Sequence, residues 1–191
     1  MSKPLMRVIA GPPGGGKSSV FPIADTGLEY FDADGRAAEL NAGSFRNIST
    51  EVRRVVNLEF ETFIRRHIEQ RRSMIFETTL RSAITFEQAQ QSRNAGFHLS
   101  MRYIALASVE LHINRVAARA DSGGHSASVR TLREIYSSSL INLRRALREF
   151  DDVAVYDNSG SGPQLVLTVD HGRVHFLIPT APHWVLGALR S

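Results

Sequence analysis

The sequence predicts an α/β fold: a three-layer sandwich with a five-stranded parallel central sheet, a helical lid and a C-terminal β-hairpin extension. Three observations predict it. A glycine-rich loop, Gly11-Pro12-Pro13-Gly14-Gly15-Gly16-Lys17-Ser18, stands between an apolar strand-like run and a helix-like one. Strand-like and helix-like stretches then alternate along the chain, which calls for parallel strands joined by right-handed crossovers. After Asn158 the pattern changes to two short runs around Asp170-His171-Gly172, the mark of a hairpin.

Met6 to Ala10 reads as a buried first strand and Ser18 to Ala24 as the opening of a helix; Glu29 to Asp32 reads as the second strand. From Thr50 to Arg71 a helix places Val52, Val55, Val56, Phe60, Phe63, Ile64 and Ile68 on one stripe. Ser49 or Thr50 can cap it, and Glu51 in the first turn with Arg71 and Arg72 in the last suits the helix dipole. Ser73 to Glu77 is the third strand. Thr85-Phe86-Glu87-Gln88 fits a capping box for a helix ended by Gly96. His98 to Ala107 is the fourth strand. Ser108 caps a helix carrying Leu111, Ile113 and Val116, which Asp121 to His125 interrupts. A long helix resumes near Val129 with Leu132, Ile135, Tyr136, Leu140, Leu143, Leu147 and Phe150 on one face, and Val153 to Tyr156 is the fifth strand. Asn158 to Pro163 is rich in turn residues. Residues 1–158 therefore read as one domain, with 159–191 as a hairpin extension of it.

Composition narrows the function. The 191 residues suit one domain, and 42% hydrophobic content supplies a core. Cysteine is absent, which excludes a disulfide framework, a thiolate metal site and a thiol nucleophile. No apolar run approaches the roughly 18 residues of a membrane span. Met1-Ser2-Lys3-Pro4 is too short and polar for a signal peptide. These features lead to the expectation of a cytoplasmic protein with no membrane partner. The net charge of +4 comes almost wholly from arginine. Those arginines are spread along helices, not gathered in a tail, and no aromatics interleave with them, which argues against nucleic acid as the partner. His171, His175 and His183 have no acidic ligand at metal-site spacing and read as structural, as does Trp184.

The loop fits Gly-x4-Gly-Lys-Ser, the phosphate-binding P-loop, in its required setting between strand and helix. Glycine lets backbone N–H groups approach a polyphosphate, so Gly11, Pro12, Pro13, Gly14, Gly15, Gly16, Lys17, Ser18 and Ser19 are the candidate nucleotide cradle. Lys17 would reach the β- and γ-phosphates of ATP (or GTP) and Ser18 would ligate Mg²⁺. In open α/β sheets ligands bind at the carboxyl ends of strands. Asp34, after the second strand, is the candidate base for an attacking hydroxyl, with Asp32 and Arg36 beside it. Glu77 ends the third strand, where an acid can see Mg²⁺ through water or bind the hydroxyls of an acceptor; Thr79 and Arg81 follow it. Arg115 and Arg119, four apart on one helix before Gly123-Gly124, can place guanidinium groups on charge that develops during transfer, joined by His125.

Taken together, Gly11 to Ser19, Phe31 to Arg36, Phe76 to Arg81 and the stretch from Arg115 to Leu143 resemble the zeta toxin family of P-loop small-molecule kinases. Glu77-x-Thr79-Leu80-Arg81 with Asp34 before it carries the resemblance furthest. Members with an assigned activity phosphorylate the 3′-hydroxyl of the amino sugar in UDP-N-acetylglucosamine. The resemblance implies Asp34 as catalytic base, Glu77, Thr79 and Arg81 as acceptor-binding residues, Lys17 and Ser18 on nucleotide and metal, and Arg115 as a lid residue on phosphate. It also implies an antitoxin protein as partner. The chain departs from the family where His125 stands at the place of a second lid arginine, a role Arg119 could fill. Two rival readings remain: a switch that binds or hydrolyses ATP without an acceptor, and a polynucleotide 5′-kinase, which the basic charge alone favours.

Overall fold

A computed structural model describes residues 3–21, 26–121 and 127–190. In chain order the elements are β1 (Leu5–Ala10), α1 (Lys17–Val20), β2 (Glu29–Phe31), α2 (Ala33–Leu40), α3 (Thr50–Gln70), β3 (Met74–Thr78) and α4 (Ile84–Asn94). They continue as β4 (His98–Ala105), α5 (Val109–Asp121), α6 (Val129–Glu149), β5 (Asp152–Asp157), β6 (Gln164–Asp170), β7 (Arg173–Leu177) and α7 (His183–Leu189). The strands form a single sheet in the order β2-β3-β1-β4-β5-β6-β7. The first five are parallel, and β6 and β7 add antiparallel to the β5 edge. The expected five parallel strands and the hairpin are thus one continuous surface.

The strand order puts β1 at the centre of the five parallel strands, flanked by β3 and β4, so the loop after β1 opens in the middle of their carboxyl edge. Alternation along the strands sorts their side chains between two faces. Met6, Val8, Phe76, Met101 and Tyr103 face α3, α4, α6 and α7 in one buried cluster with Ile64, Phe86, Leu143 and Trp184. Tyr103 shares a hydrogen bond of 2.9 Å with Ser139 on α6, which satisfies a hydroxyl that burial would otherwise penalise. On the opposite face Phe21, just after α1, meets Tyr156 edge-on at 5.2 Å.

Caps set several boundaries. Ser49 accepts from the Val52 N–H and Ser128 from that of Thr131, so α3 and α6 begin where their capping chemistry places them. Arg71 ends α3 in the left-handed conformation with φ 52°. The capping box expected at Thr85 is not formed. Thr85 lies inside α4, only 2% exposed, behind the N-cap Ala83; burial of this face overrides its capping chemistry. Residues 33–40 form a helix, α2, that the sequence did not announce, and α7 carries Trp184 into the core. The expected helix after the glycine loop covers only Lys17–Val20 in the described residues. No helix among the described residues is long and apolar enough to cross a membrane.

Candidate active site

The cradle is built on positions that only glycine fills. Gly11, Gly14 and Gly16 have φ of 140°, 77° and 94°. A Cβ on Gly11 would stand 2.0 Å from the Ile104 carbonyl oxygen, and one on Gly16 would stand 2.5 Å from the Asn158 amide nitrogen. Pro12 and Pro13 carry no N–H, and the Gly15 N–H turns back to Pro12 O at 3.2 Å. The Ser19 N–H bonds Gly16 O at 3.1 Å. Among the described residues the N–H groups of Gly16, Lys17 and Ser18 have no acceptor, which leaves them for an anion. The Ser18 side chain is exposed.

Lys17 emerges from this cradle and donates to Gly11 O at 3.0 Å. Its ammonium stands 3.7 Å from Glu77 Oε1, with 13% and 14% of the two side chains exposed. Burial pulls the Lys17 pKa down, against the attraction of Glu77, Asp34 and Asp32, and Arg119 lowers it further. Burial likewise pushes the Glu77 carboxyl up, against the pull of Lys17 and of the Tyr30 hydrogen bond, with Asp32 and Asp34 adding to the rise. Desolvation therefore outweighs mutual attraction on both sides of the pair. A polyphosphate, with its own charge, would supply what Lys17 lacks.

The two aspartates after β2 have different jobs. Asp32 is the N-cap of α2, and its carboxylate accepts from the Asp34 N–H at 3.0 Å. The cap is tight: a Cβ on Gly35 would fall 2.7 Å from Asp32 Oδ2. Asp34, in the first turn of α2, is exposed, and its carboxylate has no hydrogen bond or ion pair among the described residues. Its charge nevertheless acts on Lys17, Glu77 and Tyr30. Arg36 is held away from these groups. Its guanidinium clasps Glu59 of α3 in two bonds of 2.7 and 3.0 Å and bonds Glu39 at 2.9 Å, anchoring α2 on α3.

Beyond β3 the chain turns sharply. Leu80 is fully buried with φ of 56°, a left-handed conformation unusual for leucine. Two bonds hold it: its N–H to Thr78 Oγ1 at 3.1 Å and its carbonyl to the Asn142 amide of α6 at 2.9 Å. The turn sets Thr79 and Arg81 on either side of a buried anchor. Arg81 is exposed and forms no ion pair among the described residues. It is a free cation three residues from the end of β3.

Helix α5 and the end of β5 clasp the cradle from the other side. His112, 1% exposed, donates from Nδ1 to Pro13 O at 2.7 Å and accepts at Nε2 from the Leu106 N–H at 3.0 Å. This double bond pattern requires neutral imidazole. Asn158 donates its side-chain amide to Gly15 O at 3.0 Å, and its own carbonyl receives the Arg115 guanidinium at 2.8 Å. Arg119 lies one turn further along α5, close enough to bear on Lys17. Arg46, from the loop after α2, reaches Ala120 O at 2.6 Å and joins that loop to α5. His125 and the Gly123-Gly124 pair lie outside the described residues.

The His112 clasp has a pH signature. Burial first, then the charges of Lys17 and Arg115, push its pKa down to about 4, against its bond to Pro13 O and the charge of Asp157. The unfolded chain titrates near the ordinary value of about 6.5. Between these values the unfolded state binds the extra proton, so the contribution is whole above pH 6.5 and is lost as pH falls towards 4. About 3 kcal/mol is at stake. Urea unfolding at pH 7 and pH 4.5 should show this loss, and His112→Asn should be less stable at pH 7 with a flatter dependence across that window.

The oxygens available here suit magnesium. Ser18 offers an exposed hydroxyl and Glu77 a carboxylate beside Lys17. No group of three or more His, Cys, Asp or Glu suited to a metal ion occurs among the described residues, so the rest of its shell would come from phosphate and water. Tyr30, His112, Asn158 and the Leu80–Asn142 contact are the site residues that sequence reasoning missed. Each acts through a partner more than 40 residues away, so no local spacing marks it.

Comparison with known proteins gives the family and the fold. The profile of the zeta toxin family matches residues 1–162. An uncharacterized protein of Haemophilus influenzae is 27% identical over 116 residues, 60% of this chain and 80% of that one. Among solved structures, one from the PezAT chromosomal toxin–antitoxin system of Streptococcus pneumoniae superposes with a TM-score of 0.69 at 16% identity, over 88% of this chain and 72% of that one. The AvrRxo1-ORF1:AvrRxo1-ORF2 complex with sulphate ions gives 0.68 at 12% identity, over 91% of this chain and 61% of that one. A putative kinase from Chloroflexus aurantiacus gives 0.55 at 20% identity, over 72% and 79%. The family profile spans most of the sequence and every residue of the cleft just described; the chain belongs to the zeta toxin family and is a P-loop phosphotransferase by fold.

Proposed function

We propose that the protein transfers the γ-phosphoryl group of ATP to a hydroxyl of a small molecule, a nucleotide sugar such as UDP-N-acetylglucosamine. One observation carries the reading: of the two acids after β2, Asp32 is consumed as a helix cap, while Asp34 stands unpaired with its charge directed on Lys17. A base free of partners among the described residues, with its charge felt at a phosphate-holding lysine, is what activation of an alcohol needs.

The donor's phosphates lie against the N–H groups of Gly16, Lys17 and Ser18. Lys17 exchanges Glu77 for the β- and γ-phosphates. Ser18 and Glu77 would hold magnesium, which when bound would supply neutralising charge to the phosphates. Glu77, Thr79 and Arg81 receive the acceptor, Arg81 as a free cation for its anionic part. Asp34 takes the proton of the attacking hydroxyl as the new O–P bond forms and the bond from γ-phosphorus to the β-bridging oxygen breaks, releasing ADP. Arg115 and Arg119 stabilise the charge spread over the phosphoryl oxygens. On this reading residues 1–158 are the catalytic domain and 159–191 extend its sheet. Support for ATP as donor includes a neighbouring structure, AvrRxo1-ORF1:-ORF2, described as a complex with ATP. The pneumococcal neighbour comes from a toxin–antitoxin system, and an antitoxin partner for this chain rests on that likeness and on the family.

The test is incubation with γ-labelled ATP, magnesium and UDP-N-acetylglucosamine, with products separated. Label in the sugar nucleotide is the expected result. Label only in free phosphate, there and with a metabolite extract, would favour an ATP-hydrolysing switch instead.

A further inference from the structure

Tyr30 lies on β2 in register with Ile75, two residues before Glu77 on β3, so its ring shares the face of the sheet from which Glu77 projects. The phenol leans diagonally across and donates to Glu77 Oε2 at 2.6 Å. The other carboxylate oxygen, Oε1, faces Lys17. The two oxygens of Glu77 thus have separate partners on separate elements. We propose that Tyr30 is a positioning residue for Glu77: it holds Oε2 and turns Oε1 towards the donor and the acceptor hydroxyl. The inference rests on the phosphotransfer reading above.

The terminal torsion of a glutamate is broad and turns easily, so without a second anchor the carboxylate has no fixed plane. Lys17 cannot supply that anchor, since 3.7 Å is beyond hydrogen-bond reach and its ammonium is already on Gly11 O. The groups that bear on Glu77 by charge or hydrogen bond are Lys17 from α1, Tyr30 from β2, Asp32 at the cap of α2 and Asp34 in its first turn. Lys17 and Tyr30 favour its charged form, while burial and the two aspartates oppose it. Tyr30 keeps its proton across any working pH, because burial and the bond to Glu77 drive its pKa far up. It is a permanent donor to Oε2.

Tyr30→Phe deletes the O–H and keeps the ring. Two measurements on this variant and the unsubstituted protein decide the matter. In the first, the crystal structure of the variant is compared with that of the unsubstituted protein; without the phenol the Glu77 carboxylate should turn out of the orientation that sets Oε1 towards Lys17. In the second, kinetics with ATP and UDP-N-acetylglucosamine should show the acceptor KM raised about tenfold with the ATP KM unchanged, the size expected for one lost bond to a charged group. A Glu77 carboxylate held as before, or equal changes in both KM values, would overturn the proposal. Absence of transfer by the unsubstituted protein would overturn the phosphotransfer reading, and the two crystal structures, which need no acceptor, would still decide on Tyr30.

Discussion

Replacing Asp34 by Asn is expected to leave ATP affinity nearly unchanged and to cut phosphoryl transfer by about a hundredfold or more, the usual range for loss of a general base. The substitution keeps size and shape. The cap that organises α2 belongs to Asp32, which receives the backbone N–H of residue 34 and not its side chain. Folding should therefore be indifferent to the change, and the exposed carboxylate has no salt bridge to lose. Calorimetry with ATP and the labelled-product assay, run side by side, separate binding from chemistry. Normal turnover by the variant would remove Asp34 from the mechanism.

Lys17→Met should be the more damaging change, lowering transfer by about a thousandfold. Lys17 is the only cation in hydrogen-bond contact with the cradle's own backbone, through Gly11 O, among the described residues. Its energetics in the fold point the same way. Burial depresses its pKa although Glu77 stands nearby, so the protein holds a poorly compensated charge where phosphate would compensate it. Removing the ammonium also strips Glu77 of the main influence opposing its rise, which leaves that carboxyl still more readily protonated. ATP affinity and transfer should fall together here, in contrast to Asp34→Asn. A Lys17→Met protein that bound ATP as tightly as the original would contradict the assignment of the loop.

The sheet was legible because its parallel strands are buried on both faces and read as apolar runs, Val8-Ile9-Ala10 and Met74-Ile75-Phe76 among them. The caps at Ser49 and Ser108 were legible because the side chain that marks each helix start is the one that bonds it. Thr85 shows the limit. Its sequence context is that of a cap, but the helix face it occupies is buried, and packing decides. Helix α2 escaped notice because Ala33-Asp34-Gly35-Arg36 resembles a turn; it is stabilised from outside, by Arg36 on Glu59. The glycines of the cradle were legible because Gly11, Gly14 and Gly16 answer a local demand for positive φ; the close approaches of Ile104, His112 and Asn158 that also require them are not local. What surrounds the cradle was not legible. His112 reaches Pro13 across 99 positions and Asn158 reaches Gly15 across 143, and such pairings exist only once the sheet has brought β1, β4 and β5 side by side. The choice of Asp34 over Asp32 as candidate base was made from the sequence, but the capping role of Asp32 was not, because it exists only once residues 33–40 are helical.

The central claim is that a nucleoside triphosphate occupies the glycine cradle with the Asp34 carboxylate facing its terminal phosphate. The crystal structure of the protein soaked with magnesium and a non-hydrolysable ATP analogue tests it most directly. The account predicts the β- and γ-phosphates on Lys17 and the loop N–H groups, with space for an alcohol between the γ-phosphorus and Asp34. Phosphates bound elsewhere, or Asp34 directed away from the γ-phosphorus with that space closed, would contradict it.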